Sequence, residues 1–324
     1  MTPFHTFSIG IIAGILVVGC TNPHKGEPEK QQFETDIILP HTPPKQQGGW
    51  PAGWIYATLG MIESERILVG DSLELSATYL IRRRLEEQNG ENGKGTSLCG
   101  TPFSCLHLME RQGALTYQGY RRQTELDWAS FRQIANRNNI RTVCDTGFAY
   151  LPPSFGLYGA VYTPHDFMKS LFLSGNYRGF ISDPTQPTGK SIRRTFPGDL
   201  QEENYTNLSP DALIHTINTT LSTGHTLVWM GDTTHNGYSS TAGLANWPDD
   251  QPCTPEARQE EFKKGHIRPE HCMQIVGKAH PAGQPDNTYY ICRNSAGQPG
   301  DSCGLSYLSE RYVRMKTVAL YRHK

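Results

Sequence analysis

Helical periodicity dominates one half of this chain and strand-like runs the other, and that segregation limits the architecture more than any other feature of the sequence. Within Trp50 to Arg66, the residues Trp54, Ile55, Thr58, Met61 and Ile62 fall on one stripe at helical spacing, and Pro51 suits a first helical turn. Further helices are predicted over about Leu73 to Gln88, Cys105 to Gln112 and Leu126 to Asn136, with a Gly/Asn-rich loop at Asn89 to Gly95. From about Val143 to Pro210 the chain is rich in Gly, Pro and aromatics, which reads as loops and short elements packed on the domain. Pro210 to Gly224 is again helical in pattern, whereas Thr226 to Met230, Cys272 to Val276, Tyr289 to Arg293 and Val313 to Tyr321 read as strands. Helices first and strands later predict an α+β architecture with two lobes.

The N-terminus sets a compartment. Phe7 to Val18 is an apolar run too short to span a bilayer comfortably and about right for a signal-peptide core. It ends in Val17-Val18-Gly19-Cys20, which resembles the lipobox of bacterial lipoproteins, where the cysteine is acylated and becomes the mature N-terminus. No Lys or Arg precedes the run, which leaves open a plain secretory signal or an N-terminal anchor helix. The polar stretch Thr21 to Lys45, rich in Pro and Gln, reads as a tether. The expected organisation is therefore a leader over 1–19, a lipid-anchored tether over 20–45 and a domain over 46–324. Within that domain a helical lobe covers mainly 46–140, an insertion about 143–210 and a β-rich lobe 211–324. The implied location is a bacterial cell envelope, with the membrane engaged through lipid on Cys20.

With a formal net charge of -1, nothing in the balance calls for nucleic acid or an anionic surface as partner. Arg82-Arg83-Arg84, flanked by Glu86 and Glu87, reads as a solvated helix face. Eight cysteines with Cys20 lipid-linked leave an odd number, so at least one thiol stays free in a monomer. Cys99 with Cys105 and Cys292 with Cys303 are the local pairs to test for disulfides, and the sequence does not fix the connectivity.

Three segments carry a family resemblance. Gln47-Gly48-Gly49-Trp50-Pro51-Ala52-Gly53-Trp54 resembles the active-site segment of papain-like (clan CA, C1) cysteine peptidases, in which Cys-Trp opens a long helix. His271-Cys272-Met273-Gln274-Ile275-Val276-Gly277 resembles the strand bearing that family's catalytic histidine, and Cys292-Arg293-Asn294-Ser295-Ala296-Gly297 resembles its Asn-Ser-Trp-Gly segment. The order matches, over roughly Lys45 to Lys324. The gap between Gly53 and His271 exceeds the family's usual ~130–150 residues, which implies inserted material. Tyr162-Thr163-Pro164-His165-Asp166-Phe167 and Trp229-Met230-Gly231-Asp232 resemble the bleomycin hydrolase or aminopeptidase C branch, which carries such insertions.

The resemblance assigns Gln47 as oxyanion donor, His271 as acid/base and Asn294 as the residue that orients its ring. A thiolate at a helix N-terminus beside an imidazole is the nucleophile this chemistry needs. The residue in that position, before Trp54, is Gly53, and glycine has nothing to attack with. In triad hydrolases, removing the nucleophile costs on the order of 10⁶ in kcat. Ala296 stands where the family has the tryptophan that covers the Asn–His hydrogen bond, and Trp50 puts a large ring where a small residue or cysteine is usual, positioned to block part of the cleft. Cys272, next to His271 on a strand, is expected to face the core if His271 faces the cleft.

The expected function is a catalytically inactive peptidase homologue that binds a peptide or protein ligand in its cleft. Two alternatives stay open: an active cysteine-type peptidase with an unrecognised nucleophile, motivated by His271 and Asn294, and a structural or adhesive envelope lipoprotein whose working surface is Phe148 to Pro210. No cofactor is expected, since no phosphate-cradling glycine loop is present. No metal is expected either. Cys253, His266 and His271 echo half of a zinc site without its first cysteine pair, and His225 and His235 read as surface or hydrogen-bonded histidines. Oligomeric state is not legible.

Overall fold

The computed structural model describes residues 31–88, 97–120, 127–296 and 304–324, and every element lies in the unit Phe33–Lys324. The leader, Cys20, the Asn89 to Gly95 loop and Cys303 fall outside the described residues. After β1 (Phe33–Ile38) come α1 (Gly53–Leu68), α2 (Ala77–Gln88), α3 (Pro102–Gln112), α4 (Trp128–Ala135) and α5 (Ile140–Gly147). A two-stranded hairpin, β2 (Phe155–Leu157) and β3 (Ala160–Tyr162), leads to α6 (Pro164–Leu171), then β4 (Tyr177–Ile181), β5 (Ser191–Arg194), β6 (Glu203–Asn207) and α7 (Pro210–Ser222). The chain continues through β7 (Leu227–Gly231), β8 (Tyr238–Ser239), β9 (Leu244–Ala245), α8 (Pro255–Lys263), β10 (His271–Pro281), β11 (Tyr289–Arg293), β12 (Leu305–Ser309), α9 (Glu310–Lys316) and β13 (Thr317–His323).

Local chemistry explains many of these boundaries. Helices α3, α6, α7 and α8 each begin at a Ser/Thr–Pro pair, at Thr101, Thr163, Ser209 and Thr254. In each the hydroxyl accepts a backbone N–H of the first turn, and proline occupies a position whose own N–H would have no helical partner. Helix α1 differs: no side chain caps it at Ala52, and Gly53 through Ser64 are buried on every side. Among the described residues no helix is long and apolar enough to cross a membrane.

One sheet, ordered β5-β6-β4-β13-β7-β10-β11-β12-β9-β8 with β1 added to β10, separates two cores. Alternation along the strands sends Val228, Met230, Ala319 and Tyr321 to the core beneath α1 to α6, and Leu227, Trp229 and Leu320 to the core beneath α7 and α9. Arg258 of α8 is 1% exposed and donates to the carbonyls of Ser182, Met315 and Thr317 at 2.7–2.9 Å, and burial pushes its guanidinium down to about 10.

Four sequence expectations need correction. Arg82 and Arg84, read as part of a solvated helix face, are buried, and Arg82 donates to Ala149 O at 2.6 Å. Residues 33–38, expected in the tether, form β1 and pair antiparallel with β10, because β7 covers β10 only as far as Ile275 and leaves the edge beyond it open. Val313 to Tyr321, expected as one strand, is α9 followed by β13: Ser309 caps the helix through Tyr312 N–H. The segment 143–210 is not merely packed on the domain, since β4 lies between β13 and β6 inside the sheet.

Candidate functional site

A buried polar cluster sets how α1 lies on the sheet. Glu63 of α1, 1% exposed at its side chain, meets Lys45 at 3.2 Å and Arg293 at 3.5 Å, and accepts Leu75 N–H at 2.6 Å. Gln274 of β10 donates to Gly60 O, Ser64 Oγ and Thr226 Oγ1 at 2.9–3.0 Å, and its carbonyl accepts from Arg293 at 3.2 Å. A Cβ on Gly60 would come within 2.0 Å of Arg293 Nη1, so glycine is what lets β10 and β11 approach the helix. Because Gln274 pairs with Arg293 across β10 and β11, the same contacts bring His271 and Asn294 to the head of α1.

There His271 Nε2 lies 2.8 Å from Asn294 Oδ1. The Asn294 amide orientation is set by its other partners: Oδ1 accepts Ala296 N–H at 3.0 Å, and Nδ2 donates to Tyr238 Oη and Ser306 Oγ, each at 3.3 Å. Nε2 of His271 therefore carries the proton, and Nδ1 presents its lone pair to the helix terminus. Burial pushes this imidazole below its ordinary value, with the Asn294 hydrogen bond partly opposing, so it is neutral at pH 7.

Nδ1 points at Gly53. A Cβ at this glycine would lie 2.8 Å from His271 Nδ1 and 2.7 Å from Cε1. The imidazole thus occupies space that a side chain on the first residue of α1 would need. Gln47 flanks the same position, held by its N–H on Ser295 O at 2.9 Å and by Ser295 Oγ–H on its Oε1 at 2.7 Å. Gly48 at φ 61 turns the chain between them. The expected oxyanion donor is otherwise engaged: Gln47 Nε2 donates to Trp50 O at 2.8 Å, and its acceptor Oε1 lies 3.2 Å from the Gly53 Cβ position. Since a carbonyl can only accept, the Trp50 contact fixes this orientation.

Trp50 does not block the cleft. Its ring is 3% exposed and packs among Trp128, Phe131 and Phe148 at centroid distances of 5.0–6.1 Å. An indole has far more apolar area to bury in that aromatic cluster than in an open groove. Trp54 is likewise buried and donates Nε1–H to Leu98 O at 2.8 Å, which draws Cys99 and Gly100 to the cleft rim. The cavity that remains holds about 460 Å³ and runs from Gly48 and Gly49 past Gly53 to Glu270 and His271, with Trp128, Phe196 and Met230 as apolar lining. Asn294 stays 3% exposed with alanine at 296.

Cys99 is an exposed free thiol on this cleft, whereas Cys105 is buried, so these two are not bridged. Burial pushes the Cys105, Cys272 and Cys292 thiols far up and Cys144 to about 12. Cys272 sits in the core under α1 at 4% exposed. Cys253, His266 and His271 are not gathered into a metal-ligand group among the described residues. His225 bonds Glu65 at 3.0 Å, and His235 stacks on Trp247 at 4.7 Å. Sequence reasoning missed Tyr238 and Ser306 as supports of the Asn–His pair, and Ser295 as the partner that holds Gln47. Only Ser295, adjacent to Asn294, carried any signal of that kind.

No family model and no curated protein matches the chain. Among solved structures, the crystal structure of pepw from Lactobacillus rhamnosis HN001 is similar with a TM-score of 0.67 at 14% identity, over 90% of this chain and 82% of that one. Digestive procathepsin L 3 of the Tenebrio molitor larval midgut is similar with a TM-score of 0.47 at 16% identity, over 91% of this chain and 72% of that one. The helical layer on one side of the sheet, the cleft at the head of α1 and the likeness to pepw give this chain an α+β papain-like fold.

Proposed function

We propose that this chain is a lipid-anchored, catalytically silent homologue of papain-like cysteine peptidases that holds a peptide or an extended protein segment in its cleft without cutting it. One observation carries the reading: Gly53 heads α1, and the His271 ring stands 2.7–2.8 Å from where its Cβ would be. The position offers neither a nucleophile nor resting space for one. The oxyanion donor is diverted as well, with Gln47 Nε2 on Trp50 O. What remains is a groove of peptide dimensions with an apolar lining, suited to an extended chain bearing an apolar side chain. Anchoring through Cys20 places that groove on a bacterial envelope surface.

The test pairs turnover with binding. Fluorogenic aminopeptidase and endopeptidase substrates are uncut by the native chain, while labelled peptides bind saturably by fluorescence polarisation. Gly49→Phe weakens the binding, because Gly49 lines the cleft and a ring there meets no protein atom that would keep it out of the ligand's path. Cleavage by the native chain that survives trace-protease controls would overturn the silence. Absence of binding to a broad peptide panel would remove the ligand role. Cys20→Ser shifts the protein out of the membrane fraction, and unchanged partitioning would refute the anchor.

A second reading rests on Cys99, an exposed thiol on the same cleft. In that reading Cys99 is the nucleophile of an active peptidase, and hydrolysis by the native chain is lost in both Cys99→Ser and His271→Gln. It is the weaker reading, because Cys99 lies on a loop rather than at the helix head where a thiolate is stabilised.

A further inference from the structure

Far along α1 from Gly53, three side chains from distant parts of the sequence converge. Glu65 lies near the end of α1, His225 follows α7, and His323 ends β13. One ligand atom from each lies within 4.8 Å of those of the other two. His225 Nδ1 stands 3.0 Å from both carboxylate oxygens of Glu65, and His323 Nδ1 stands 3.9 Å from Glu65 Oε2. The two imidazoles are stacked at 6.1 Å between centroids and 19° between planes.

His323 supplies the second observation. Its Nδ1 is buried and has no hydrogen-bond partner among the described residues, although the Glu65 carboxylate is its neighbour. A distance of 3.9 Å is too long for a hydrogen bond. A buried polar nitrogen without a partner is costly and calls for an explanation. An ion explains it. Zinc bound at about 2.0–2.1 Å by nitrogen and oxygen in a tetrahedron holds its ligand atoms roughly 3.3 Å apart, and the spacings of 3.0 and 3.9 Å bracket that value. Tyr177 packs edge-on against His323 at 5.3 Å and limits rotation of its ring.

We propose that Glu65, His225 and His323 form a binding site for a divalent transition-metal ion of the zinc class. Two imidazoles and one carboxylate are borderline ligands that suit zinc, cobalt or nickel better than calcium or magnesium. On binding, the ion takes the place of the Nδ1 proton that His225 now gives to Glu65, and a proton taken up through solvent sits on Nε2, so that each histidine ligates as a neutral ring. Side-chain exposures of 35%, 30% and 13% for His225, His323 and Glu65 leave a fourth position open to water. The ion joins α1, the α7–β7 turn and β13, so it acts as a clamp between the helical layer and the sheet, remote from the cleft.

The test uses the full chain purified in detergent, stripped with chelator and titrated with zinc by calorimetry. One equivalent binds, and His323→Asn and Glu65→Gln each weaken it by at least ~100-fold, beyond the roughly 10–100-fold expected for loss of an outer-shell partner. His280→Asn, at a histidine that pairs with Glu34 and Asp36 elsewhere on the surface, leaves binding unchanged. Cobalt substituted for zinc gives a spectrum without thiolate charge transfer, which excludes the exposed Cys99 as the ligand. No saturable binding, variants that bind like the parent, or a thiolate band would each overturn the proposal. Where a variant fails to fold, X-ray absorption on the zinc-loaded native chain decides: two imidazoles with a carboxylate uphold the site, and sulfur in the shell refutes it.

Discussion

Replacing Gly53 with cysteine probes the geometry at the head of α1 most directly. The new Cβ starts 2.7 Å from His271 Cε1, whereas ordinary contact begins near 3.4 Å, so the ring must retreat by about 0.7 Å. It is held there by one 2.8 Å hydrogen bond to Asn294, which can lengthen by roughly 0.4 Å and remain a bond. Rotation of the ring supplies the rest, and the introduced Sγ comes to lie beside Nδ1. Its thiol begins from an ordinary pKa of about 8.5. The uncapped helix terminus stabilises the thiolate by about 0.3–2 kcal/mol, or roughly 0.2–1.5 pKa units. An imidazolium about 4 Å away adds on the order of 4 kcal/mol at an effective dielectric of 20, about 3 units, less what His271 loses because burial disfavours its charged form. The expected thiol pKa is therefore about 4–6.5. Alkylation rate against pH, measured in a Cys99→Ser background so that one cleft thiol reports, gives the value. Adding His271→Gln raises the midpoint by about 2–3 units. A midpoint at ~8.5 or above in the parent variant would mean that the ring does not yield or that the thiol points away, and the reasoning fails.

Four further outcomes follow from packing and charge. Gly60→Ala costs about 1–3 kcal/mol in urea unfolding despite alanine's better helix propensity, because its methyl meets Arg293 and Gln274 at 2.0–2.3 Å, and a neutral or stabilising result would contradict that contact. Arg258→Ala costs about 3–5 kcal/mol by the same assay, since three buried carbonyls lose their donor at roughly 1–3 kcal/mol each, and a loss under 1 kcal/mol would show that water replaces the guanidinium freely. Trp50→Ala destabilises by about 3–5 kcal/mol without enlarging the range of peptides bound, whereas a ring that plugged the cleft would do the reverse. The folded chain holds His271 below its unfolded value of about 6.5, so the unfolded state binds more protons on acidification. Stability is therefore full above about pH 6.5 and falls as pH drops toward the folded pKa. His271→Gln flattens that part of the unfolding profile, and an unchanged slope would show the imidazole to be unperturbed.

Much of this molecule was legible because its signals are local. The apolar stripe of α1, the helical pattern of α7 and the runs that became β7, β10 and β11 are set by neighbours within a few residues, whereas α6 and α8 escaped the sequence reading although Thr–Pro pairs open them just as locally. The resemblance of the segments around Gln47, Gly53, His271 and Asn294 to one peptidase family also pointed to one site without coordinates. The errors came where partners are remote in sequence. Nothing in Phe33–Ile38 reports that β10 beyond Ile275 lacks its β7 partner, whereas the Ser309 cap is a local signal that the strand reading of Val313 to Tyr321 overlooked. The Glu63–Arg293–Gln274 cluster and the Glu65–His225–His323 group each join residues scattered over much of the chain, which no local pattern can reveal.

By itself, then, the sequence determined that glycine stands where the family resemblance puts the nucleophile, that a histidine and an asparagine follow it in order, and that helices precede strands. Those are properties of residue identity and short-range periodicity, and no packing can alter them. Tertiary structure alone decided which way each side chain turned. The Trp50 ring went into the aromatic core because burial there removes more apolar surface from water. The Gln47 amide gave its proton to Trp50 O because a carbonyl beside it accepts and cannot donate. The His271 ring came to rest against Gly53 because Asn294 holds its far nitrogen and glycine leaves the near side open.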